Sequence, residues 1–340
     1  MRASGSLIKL TKFGKSHLPL DCAAVVLFAL SVSAQAATYT VIDPPRSRFA
    51  VAAGINRGGV IAGYDNRGGF LRSADGSYTF FNLKHSVSVV VIGINDIGSV
   101  VGWYGDASGA EHGFVRKTDG SVESFDAGYG NQFRTSGINR PGDVCGRFED
   151  DHEDFHGFVR TADGTLTVFD PPGSIATSPA SINDSRAIAG HFYNGANDHA
   201  FVRAPDGTIT VFDPPTSVET VAFGINDDGV IVGTASTGTD TFDFIRDAAG
   251  GFTLFDAGTR QVDSETAGAS IAAKGTIAGW YTFNTDYSSR GFFRNLNGRI
   301  QTFKALHARY TFVTGINGKG AIVGYTLGHG RKSHGFLRTP

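Results

Sequence analysis

Short runs of alternating apolar and polar residues fill most of the chain, and they return at a fixed interval. The motif GIN-x-x-G-x-[IV]-[VA]-G and its close variants occur seven times, with the Ile at positions 55, 94, 138, 182, 225, 271 and 316. The copies are therefore 39 to 46 residues apart. A period of this length is typical of repeat proteins in which each copy forms one small group of secondary-structure elements.

Each copy predicts four short strands, which we name A, B, C and D in chain order. Strand A leads into GIN, strand B runs through [IV]-[VA]-G, strand C through G-F-[VL]-R, and strand D through T-V-F-D or a variant of it. The sequence Asn95 to Gly98 between A and B fits a type I turn, and Asp119-Gly120 between C and D fits a tight hairpin. The B to C connection varies most, from 7 residues between Gly63 and Phe70 to 13 between Gly279 and Phe292.

The two ends of the chain carry complementary parts of a unit. T-Y-T-V-I-D from Thr38 resembles strand D alone, and the seventh unit stops after strand C in H-G-F-L-R-T-P. We therefore predict an all-β fold, a single seven-bladed β-propeller over residues 38–340. Each blade would have four antiparallel strands, with the last blade closed by the N-terminal strand. A β-sandwich array or an open solenoid is the alternative, although neither requires complementary half-units.

Residues 1–36 differ from the rest of the chain and are predicted to be a secretory signal peptide. Four basic residues precede an apolar run from Cys22 to Val32, and Ala34-Gln35-Ala36 supplies the small residues of a cleavage site. A membrane anchor is the alternative, but the run is short for a bilayer-spanning helix. No stable membrane insertion is expected after cleavage. The expected location is secreted or periplasmic.

Charge and cysteine content argue against nucleic-acid binding and against cysteine chemistry. Removing residues 1–36 leaves 26 Lys and Arg against 31 Asp and Glu, a formal charge of −5, which lacks the basic excess of nucleic-acid binders. Only Cys145 then remains, so no intrachain disulfide forms. Other units have Ala or Val at this position, so we interpret Cys145 as a core residue and not a nucleophile.

Three recurring polar positions are interpreted as structural. We expect the Arg of strand C to form a carboxylate clamp with the Asp of strand D. The Arg residues are Arg72, Arg116, Arg160, Arg203, Arg246, Arg294 and Arg338, and the Asp residues are Asp43, Asp126, Asp170, Asp213 and Asp256. His112, His156, His199 and His334 precede strand C at equivalent positions, which would separate them around a ring and disfavour one shared metal.

The candidate ligand-binding residues lie where strand B ends, just after its recurring Gly. The B to C and D to A connections should share one face, and what varies between units there is the better candidate for function. The first position holds Tyr64, Trp103, Arg147, His191, Thr234, Trp280 and Tyr325, and the second holds Asp65, Tyr104, Phe148, Phe192, Ala235, Tyr281 and Thr326. Of these, the predicted ligand-binding set is Tyr64, Trp103, Tyr104, Arg147, His191, Trp280, Tyr281 and Tyr325. Aromatic rings stack on sugar faces, whereas Arg, His and Tyr can bind hydroxyls or a carboxylate. The structural interpretation is that these side chains only fill gaps between blades.

One loop is acidic, F-E-D-D-H-E-D-F-H-G from Phe148 to Gly157. Glu149, Asp150, Asp151 and Asp154 are a weak calcium candidate, because calcium binds six to eight oxygens. Their spacing does not match the pattern of a calcium-binding loop, which favours a solvated acidic loop. No cofactor is otherwise expected.

No nucleophile elbow, zinc-protease motif or phosphate-binding loop is present in the sequence. The repeated GIN motif followed by H-[GA]-F-[VL]-R resembles the bacterial extracellular repeat family called HAF, and His199-Ala200-Phe201 matches its eponymous step. Gly68, Phe242 and Arg290 depart from the family at the His position. The resemblance implies export from a bacterium and a repeat β fold, but it supplies no catalytic residues.

Three hypotheses follow. The sequence favours a secreted recognition module that binds an extracellular glycan or protein partner through the varied face. The enzymatic alternative is a polysaccharide lyase or glycoside hydrolase at the channel mouth, in which His191, Arg147, Tyr64 and Tyr325 would supply the chemistry of a lyase. The third hypothesis is a structural extracellular repeat protein without a small ligand.

Overall fold

The computed structural model describes residues 37–128, 132–257, 266–283, 288–328 and 332–340, with only the backbone described for 266–269. The predicted signal peptide, residues 1–36, lies outside the described residues. Ala36–Pro340 forms one compact unit. Its described residues form β-strands and one short 3₁₀ turn, Ala305–His307, so the predicted all-β class is confirmed.

The strands follow the predicted order A, B, C, D in every repeat. Strand β1 is Thr38–Ile42, and we call the seven repeats that follow units 1 to 7. Units 1 to 3 contain β2 (Ala50–Ile55), β3 (Ile61–Asp65), β4 (Gly68–Arg72) and β5 (Tyr78–Phe81) in unit 1; β6 (Ser86–Ile94), β7 (Val100–Asp106), β8 (Glu111–Arg116) and β9 (Val122–Phe125) in unit 2; and β10 (Phe133–Ile138), β11 (Val144–Glu149), β12 (Phe155–Arg160) and β13 (Leu166–Phe169) in unit 3.

Units 4 to 7 contain β14 (Ala176–Ile182), β15 (Ile188–Tyr193), β16 (Asp198–Arg203) and β17 (Ile209–Phe212) in unit 4; β18 (Glu219–Ile225), β19 (Ile231–Ser236), β20 (Thr241–Arg246) and β21 (Phe252–Phe255) in unit 5; β22 (Thr266–Ile271), β23 (Ile277–Phe283), β24 (Ser288–Arg294) and β25 (Ile300–Phe303) in unit 6; and β26 (Tyr310–Ile316), β27 (Ile322–Leu327) and β28 (Ser333–Thr339) in unit 7.

Neighbouring strands within a unit pair antiparallel, so units 1 to 6 are each a four-stranded meander. Units 3 and 4 are joined into one eight-stranded sheet by a single parallel pair, Phe155 with Ala176. Unit 7 supplies three strands, and β1 is its fourth. Strand β1 pairs antiparallel with β28, with Val41 opposite Phe336, which confirms the predicted pairing of the chain ends.

Each sheet is built around a glycine on strand B and a phenylalanine on strand C. The Phe is fully buried in every unit, as at Phe114, which is 0% exposed. A Cβ on Gly102 would lie 2.2 Å from the carbonyl oxygen of Val90 and 2.7 Å from the ring of Phe114. The glycine therefore recurs because the ring lies flat against its backbone, where no side chain fits.

Adjoining units pack through aromatic rings. The strand D Phe of one unit meets the strand C Phe of the next edge to face, as for Phe81 and Phe114 with ring centroids 6.1 Å apart. The same contact recurs in the pairs 125–158, 169–201, 212–244, 255–292 and 303–336. Ile42 of β1 takes the place of this Phe for unit 1, since it is 0% exposed and packs in one cluster with Phe70 and Val323.

The expected clamp between the strand C Arg and the strand D Asp is wrong. The Arg guanidinium instead stacks on the strand D Phe of the preceding unit, at 4.6 to 5.3 Å from the ring centroid, for Arg116, Arg160, Arg203, Arg246, Arg294 and Arg338. The reason is register: Arg160 is opposite Leu166 at the turn end of strand D, whereas Asp170 follows Phe169 at its other end. Arg160 also forms an ion pair with Glu123 of the neighbouring unit.

The Asn of the GIN motif forms both a turn and a contact between units. In the predicted A to B turn, Gly98 N–H donates to the carbonyl of Asn95 at 3.0 Å, and Asn95 Oδ1 accepts from Ser99 N–H at 2.8 Å. Its Nδ2 donates to the carbonyl of Asn139 in the next unit at 2.9 Å. The same donation to the next unit is made by Asn56, Asn139, Asn183, Asn226 and Asn317.

This hydrogen-bond relay also joins the last unit to the first. Asn317 Nδ2 donates to the carbonyl of Asn56 at 3.1 Å, and Thr314 Oγ1 donates to the carbonyl of Ala52 at 2.6 Å. Unit 6 lacks the donor because it has Ala272 in place of Asn. The relay lines a cavity of about 190 Å³ whose walls come from units 1 to 6. We call this end of the molecule, which carries the A to B and C to D turns, the turn face.

Cys145 is completely buried, and burial raises the pKa of its thiol to about 12. It packs with Val159, Ile188 and Phe201 between units 3 and 4. This placement agrees with its interpretation as a core residue, because a buried, protonated thiol is a poor nucleophile.

Candidate functional site

The end of the molecule opposite the turn face carries the B to C and D to A connections, and we call it the loop face. Strand B ends there in every unit. Because successive side chains of a strand point to opposite sides of its sheet, the first and second residues after the strand B glycine have different surroundings. The first is partly exposed in six units, as in Trp103 and Arg147, and the second is buried in all seven, as in Phe148 and Ala235.

Two of the eight predicted ligand-binding residues are therefore corrected. Tyr104 is 9% exposed and packs in the core of unit 2, and Tyr281 is 2% exposed and packs against Phe292. Both occupy the second position, which faces the core between sheets. The sequence prediction grouped the two positions because it considered only their proximity to the end of strand B. The other six, Tyr64, Trp103, Arg147, His191, Trp280 and Tyr325, are partly exposed.

The first-position residues of units 2 to 4 form a continuous line of contacts, which we call the polar arc. Arg134 of unit 3 stacks over Trp103 of unit 2 at 5.1 Å and forms a two-pronged ion pair with Glu111, with distances of 2.8 and 3.0 Å. Arg134 is directly opposite Arg147 on the neighbouring strand. Arg147 in turn donates from Nη1 to the hydroxyl of Ser178 in unit 4 at 2.9 Å.

Arg147 differs from Arg134 in that no carboxylate among the described residues is hydrogen-bonded to it, although the charge of Glu111 acts on both arginines. Among the described residues, the Ser178 hydroxyl is the one hydrogen-bond partner of its guanidinium, which also stacks over Phe155 at 4.7 Å. Burial and the nearby charge of Arg134 lower the pKa of Arg147 against the opposing effect of Glu111. A partly buried cation without a carboxylate is costly, and a bound anion would relieve that cost.

His191 lies beside Arg147, directly opposite Ser178 on the neighbouring strand. Its Nδ1 is buried and has no hydrogen-bond partner among the described residues, whereas Nε2 is not buried in this way. Burial and the charge of Arg147 lower the pKa of His191 against the opposing effect of Asp198. The ring is therefore neutral at pH 7.

A second line of contacts, the aromatic arc, joins units 6, 7 and 1. Trp280 meets Phe312 edge to face at 4.8 Å, and Phe312 stacks on Tyr325 at 4.9 Å. Tyr64 of unit 1 packs against Phe49 at 6.3 Å. Burial raises the pKa of Tyr64, with a further increase from Tyr325, so both phenols are protonated hydrogen-bond donors at neutral pH.

Unit 5 lies between the two arcs on one side. Its first-position residue is the small Thr234, which is 8% exposed and lies opposite Val221. A cavity of about 370 Å³ lies among the A strands, lined by residues of units 3 to 7 that include Ser136, Ser181, Phe223, Ser270 and Thr314. One cavity lined by five consecutive units requires that their A strands converge.

The recurring histidines bind the aspartates that were expected to bind Arg. Nδ1 of His112, His156, His199 and His334 lies 2.5 to 3.1 Å from a carboxylate oxygen of Asp126, Asp170, Asp213 and Asp43. Nε2 of the first three reaches Asp106, Asp150 and Asn194 of the B to C hairpin. Each of these three histidines therefore ties strand D to the hairpin of its own unit. His334 ties unit 7 to the segment that follows β1.

The acidic loop is organised by its own backbone. Hydrogen bonds from the backbone N–H groups of Asp154 and His152, with a contribution from His156, lower the pKa of Asp150 to about 2. Within the described ranges, no three potential ligands among His, Cys, Asp and Glu are gathered closely enough to hold a metal ion. Glu149, Asp150, Asp151 and Asp154 are thus not arranged around a common point.

Comparison with known proteins identifies the class of fold. A streptogramin B lyase superposes with a TM-score of 0.63 at 15% identity, covering 88% of this chain and 97% of that protein. Virginiamycin B lyase from Staphylococcus aureus, solved as an inactive variant with quinupristin, gives 0.64 at 15% identity, covering 89% of this chain and 100% of that protein. The β-propeller domain of a trilobed protease from Pyrococcus furiosus gives 0.60 at 10% identity, covering 86% of this chain and 94% of that domain.

The protein therefore has an all-β, propeller-like fold, and at these identities the likeness extends to the fold alone. No protein-family model matches the chain. No curated protein sequence matches it significantly. In the part of the chain that the structure describes, no helix is long and apolar enough to cross a membrane.

Sequence reasoning missed the strand A members of both arcs, Arg134, Ser178 and Phe312. Each is directly opposite a first-position residue in the A to B hairpin. Counting outward from the turn would not have found them, because a register shift in strand A of each hairpin displaces the pairing by one residue. The contacts between units, such as Arg147 with Ser178, have no signal in a single unit.

Proposed function

We propose that the chain is a secreted bacterial protein of the HAF type, whose repeats form one closed seven-bladed propeller that binds an extracellular glycan or protein partner at the loop face. The single observation behind the binding proposal is the polar arc, in which Arg147 has no hydrogen-bonded carboxylate and Nδ1 of His191 has no hydrogen-bond partner among the described residues.

Closure is supported by the β1 to β28 pairing and by the hydrogen bonds from Asn317 and Thr314 to unit 1. It is testable through Ile42, which is buried between the first and last units. A charge at this position would be buried without a partner, so Ile42→Asp should lower the stability of the whole domain by about 4 kcal/mol or more. Val41→Asp on the exposed side of β1 is the matched control. An Ile42→Asp variant as stable as the Val41→Asp variant would contradict closure.

A glycan is favoured as the ligand because the aromatic arc offers Trp280, Phe312 and Tyr325 as stacking surfaces next to phenolic donors. The test is a binding screen of the chain without residues 1–36 against glycan arrays and extracellular protein extracts. Trp280→Ala and Trp103→Ala should each weaken the ligand found by about tenfold, the order expected for an aromatic contact. Phe80→Ala, which removes an exposed ring from the outer strand of unit 1, should leave binding unchanged.

The second candidate is a polysaccharide lyase, favoured by the proximity of Arg147 to the neutral ring of His191. A lyase needs a group that neutralises the carboxylate of a uronate and a base for the adjacent proton. The environment of Nδ1 argues against His191 as this base. To accept a proton at Nε2, the neutral ring would have to carry its hydrogen on Nδ1, and no described acceptor binds an Nδ1–H. Unsaturated products formed from uronate polymers, and lost in His191→Ala, would establish the lyase.

Export is supported by the composition of residues 1–36. In a bacterial host, the secreted chain should begin near Ala37, as determined by N-terminal sequencing. A chain retained in the membrane with its N-terminus intact would favour the anchor.

A further inference from the structure

We infer that the ligand of the loop face carries a carboxylate, which binds between units 3 and 4 and accepts hydrogen bonds from the guanidinium of Arg147 and from Nε2–H of His191. This inference rests on the proposed binding function and names the chemical class of the ligand. It concerns a uronate or a similar acidic saccharide.

The first step is the comparison of two neighbouring arginines. Arg134 and Arg147 are opposite each other on adjacent strands, and both stack on an aromatic ring. Glu111 neutralises Arg134 with both carboxylate oxygens. Arg147 has a similar planar fork of donors but binds a neutral hydroxyl. The molecule itself therefore displays the kind of partner that Arg147 lacks, a carboxylate bound in the plane of the guanidinium.

The second step concerns the tautomer of His191. Its Nδ1 is buried without a partner in the described part of the chain, and a buried N–H without an acceptor is rare and costly. The neutral ring therefore carries its hydrogen on Nε2. An Nε2–H next to a guanidinium without a hydrogen-bonded carboxylate is a second donor for an anion. It is a poor general base, because the basic lone pair is on the buried nitrogen.

The third step is the connection between the two donors. Ser178 accepts a hydrogen bond from Arg147 and is directly opposite His191 in the sheet of unit 4. Arg147 belongs to unit 3, so the site spans two units. A carboxylate bound between units 3 and 4 would accept hydrogen bonds from both side chains, and Trp103 and the aromatic arc provide surfaces for sugar rings.

The test measures binding by isothermal titration calorimetry with three probes: oligogalacturonate, its methyl ester and neutral oligogalactose. The chain without residues 1–36 should bind the acid at least about tenfold more tightly than the ester, the difference expected for charge-assisted hydrogen bonds. Arg147→Gln should reduce the affinity for the acid to that of the ester. Arg57→Gln on the turn face should have no effect, which controls for the loss of one positive charge.

His191 supplies the sharper variant pair. Gln places an N–H donor where Nε2–H of His lies, so His191→Gln should retain most of the affinity for the acid, whereas His191→Ala should lose about fivefold to tenfold. Melting temperatures near that of the parent chain would show that each variant is folded. His191→Gln as weak as His191→Ala would overturn the donor role.

The outcomes separate this inference from the function on which it rests. Equal affinity for acid and ester, with binding still lost in Trp280→Ala, would overturn the carboxylate and keep the recognition module. Tighter binding of a sulfated oligosaccharide than of oligogalacturonate would also overturn the carboxylate. Absence of binding to every glycan and protein tested would overturn both.

Discussion

The turn face and the loop face are built from the same seven units, but the recurring Asn side chains of the turn face and the Arg147 and His191 side chains of the loop face differ in how their polar atoms are bonded. On the turn face, Asn95 and its equivalents use the side-chain oxygen inside their own turn and the nitrogen on the next unit. On the loop face, among the described residues, Arg147 has no hydrogen-bonded carboxylate and Nδ1 of His191 has no hydrogen-bond partner.

This difference shows where function is to be sought in a repeat protein. A side chain that recurs in every unit and satisfies its hydrogen bonds is explained by folding. A side chain that occurs once, lies at the junction of two units and leaves a polar atom unpaired reduces stability, and such a cost is typical of binding sites. Substitutions on the two faces should therefore separate stability from binding.

The largest effect is expected in the shared framework of the sheets. Gly102→Ala would place a Cβ against the carbonyl of Val90 and the ring of Phe114, and should cost about 3 kcal/mol of unfolding free energy. Gly93→Ala is the matched control, because its Cβ would meet nothing within 4 Å. Denaturant unfolding of both variants measures the difference, and equal stabilities would contradict the packing of ring on backbone.

On the turn face, Asn95→Ala removes a turn hydrogen bond and a contact between units, so it should cost about 2 kcal/mol. Ligand affinity should stay at the level of the parent chain because the loop face is untouched. A binding defect in a folded Asn95→Ala variant would show that the two faces are coupled.

On the loop face, a substitution should increase the free energy of unfolding instead of lowering it. Arg147→Met keeps much of the apolar stem but removes an uncompensated cation, and should raise stability by about 1 kcal/mol while the acidic ligand is lost. Thermal unfolding with and without oligogalacturonate measures both effects. A destabilised variant would mean that Arg147 is structural.

The missing position of the relay offers a gain of stability. Ala272→Asn should let Oδ1 accept within the turn and Nδ2 donate to unit 7, adding about 0.5 to 1 kcal/mol. Ala273→Asn, one residue further along, is the matched control. No gain over that control would show that Asn acts only in its own turn.

The smallest effect concerns pH. Burial alone would lower the pKa of His156, but the hydrogen bonds and charges of Asp170 and Asp150 raise it overall. A raised pKa in the folded state stabilises the protein at pH values below the unfolded value of about 6.5, and this contribution is lost as the pH rises through the folded value. Relative to His156→Gln, the parent chain should be more stable by about 0.5 kcal/mol at pH 5.5 than at pH 8.5. The difference in melting temperature at the two pH values measures it.

The sequence alone determined the period, the four strands of each unit, the turns at Asn95 and Asp119, and the pairing of β1 with the last unit. All of these depend on local spacing and on alternation along a strand, which are present in the chain itself. The exposed first-position residues of strand B, such as Trp103 and Arg147, were identified for the same reason.

Which side chains contact each other depends on how the units pack. Arg160 stacks on Phe125 of the preceding unit, and His156 forms a hydrogen bond with Asp170. Tyr281 is buried in the core although it directly follows the partly exposed Trp280. Register and the packing between units set these contacts, and neither is encoded within one repeat. The absence of a hydrogen-bonded carboxylate at Arg147, among the described residues, likewise depends on two adjoining units, because the groups around its guanidinium come from both.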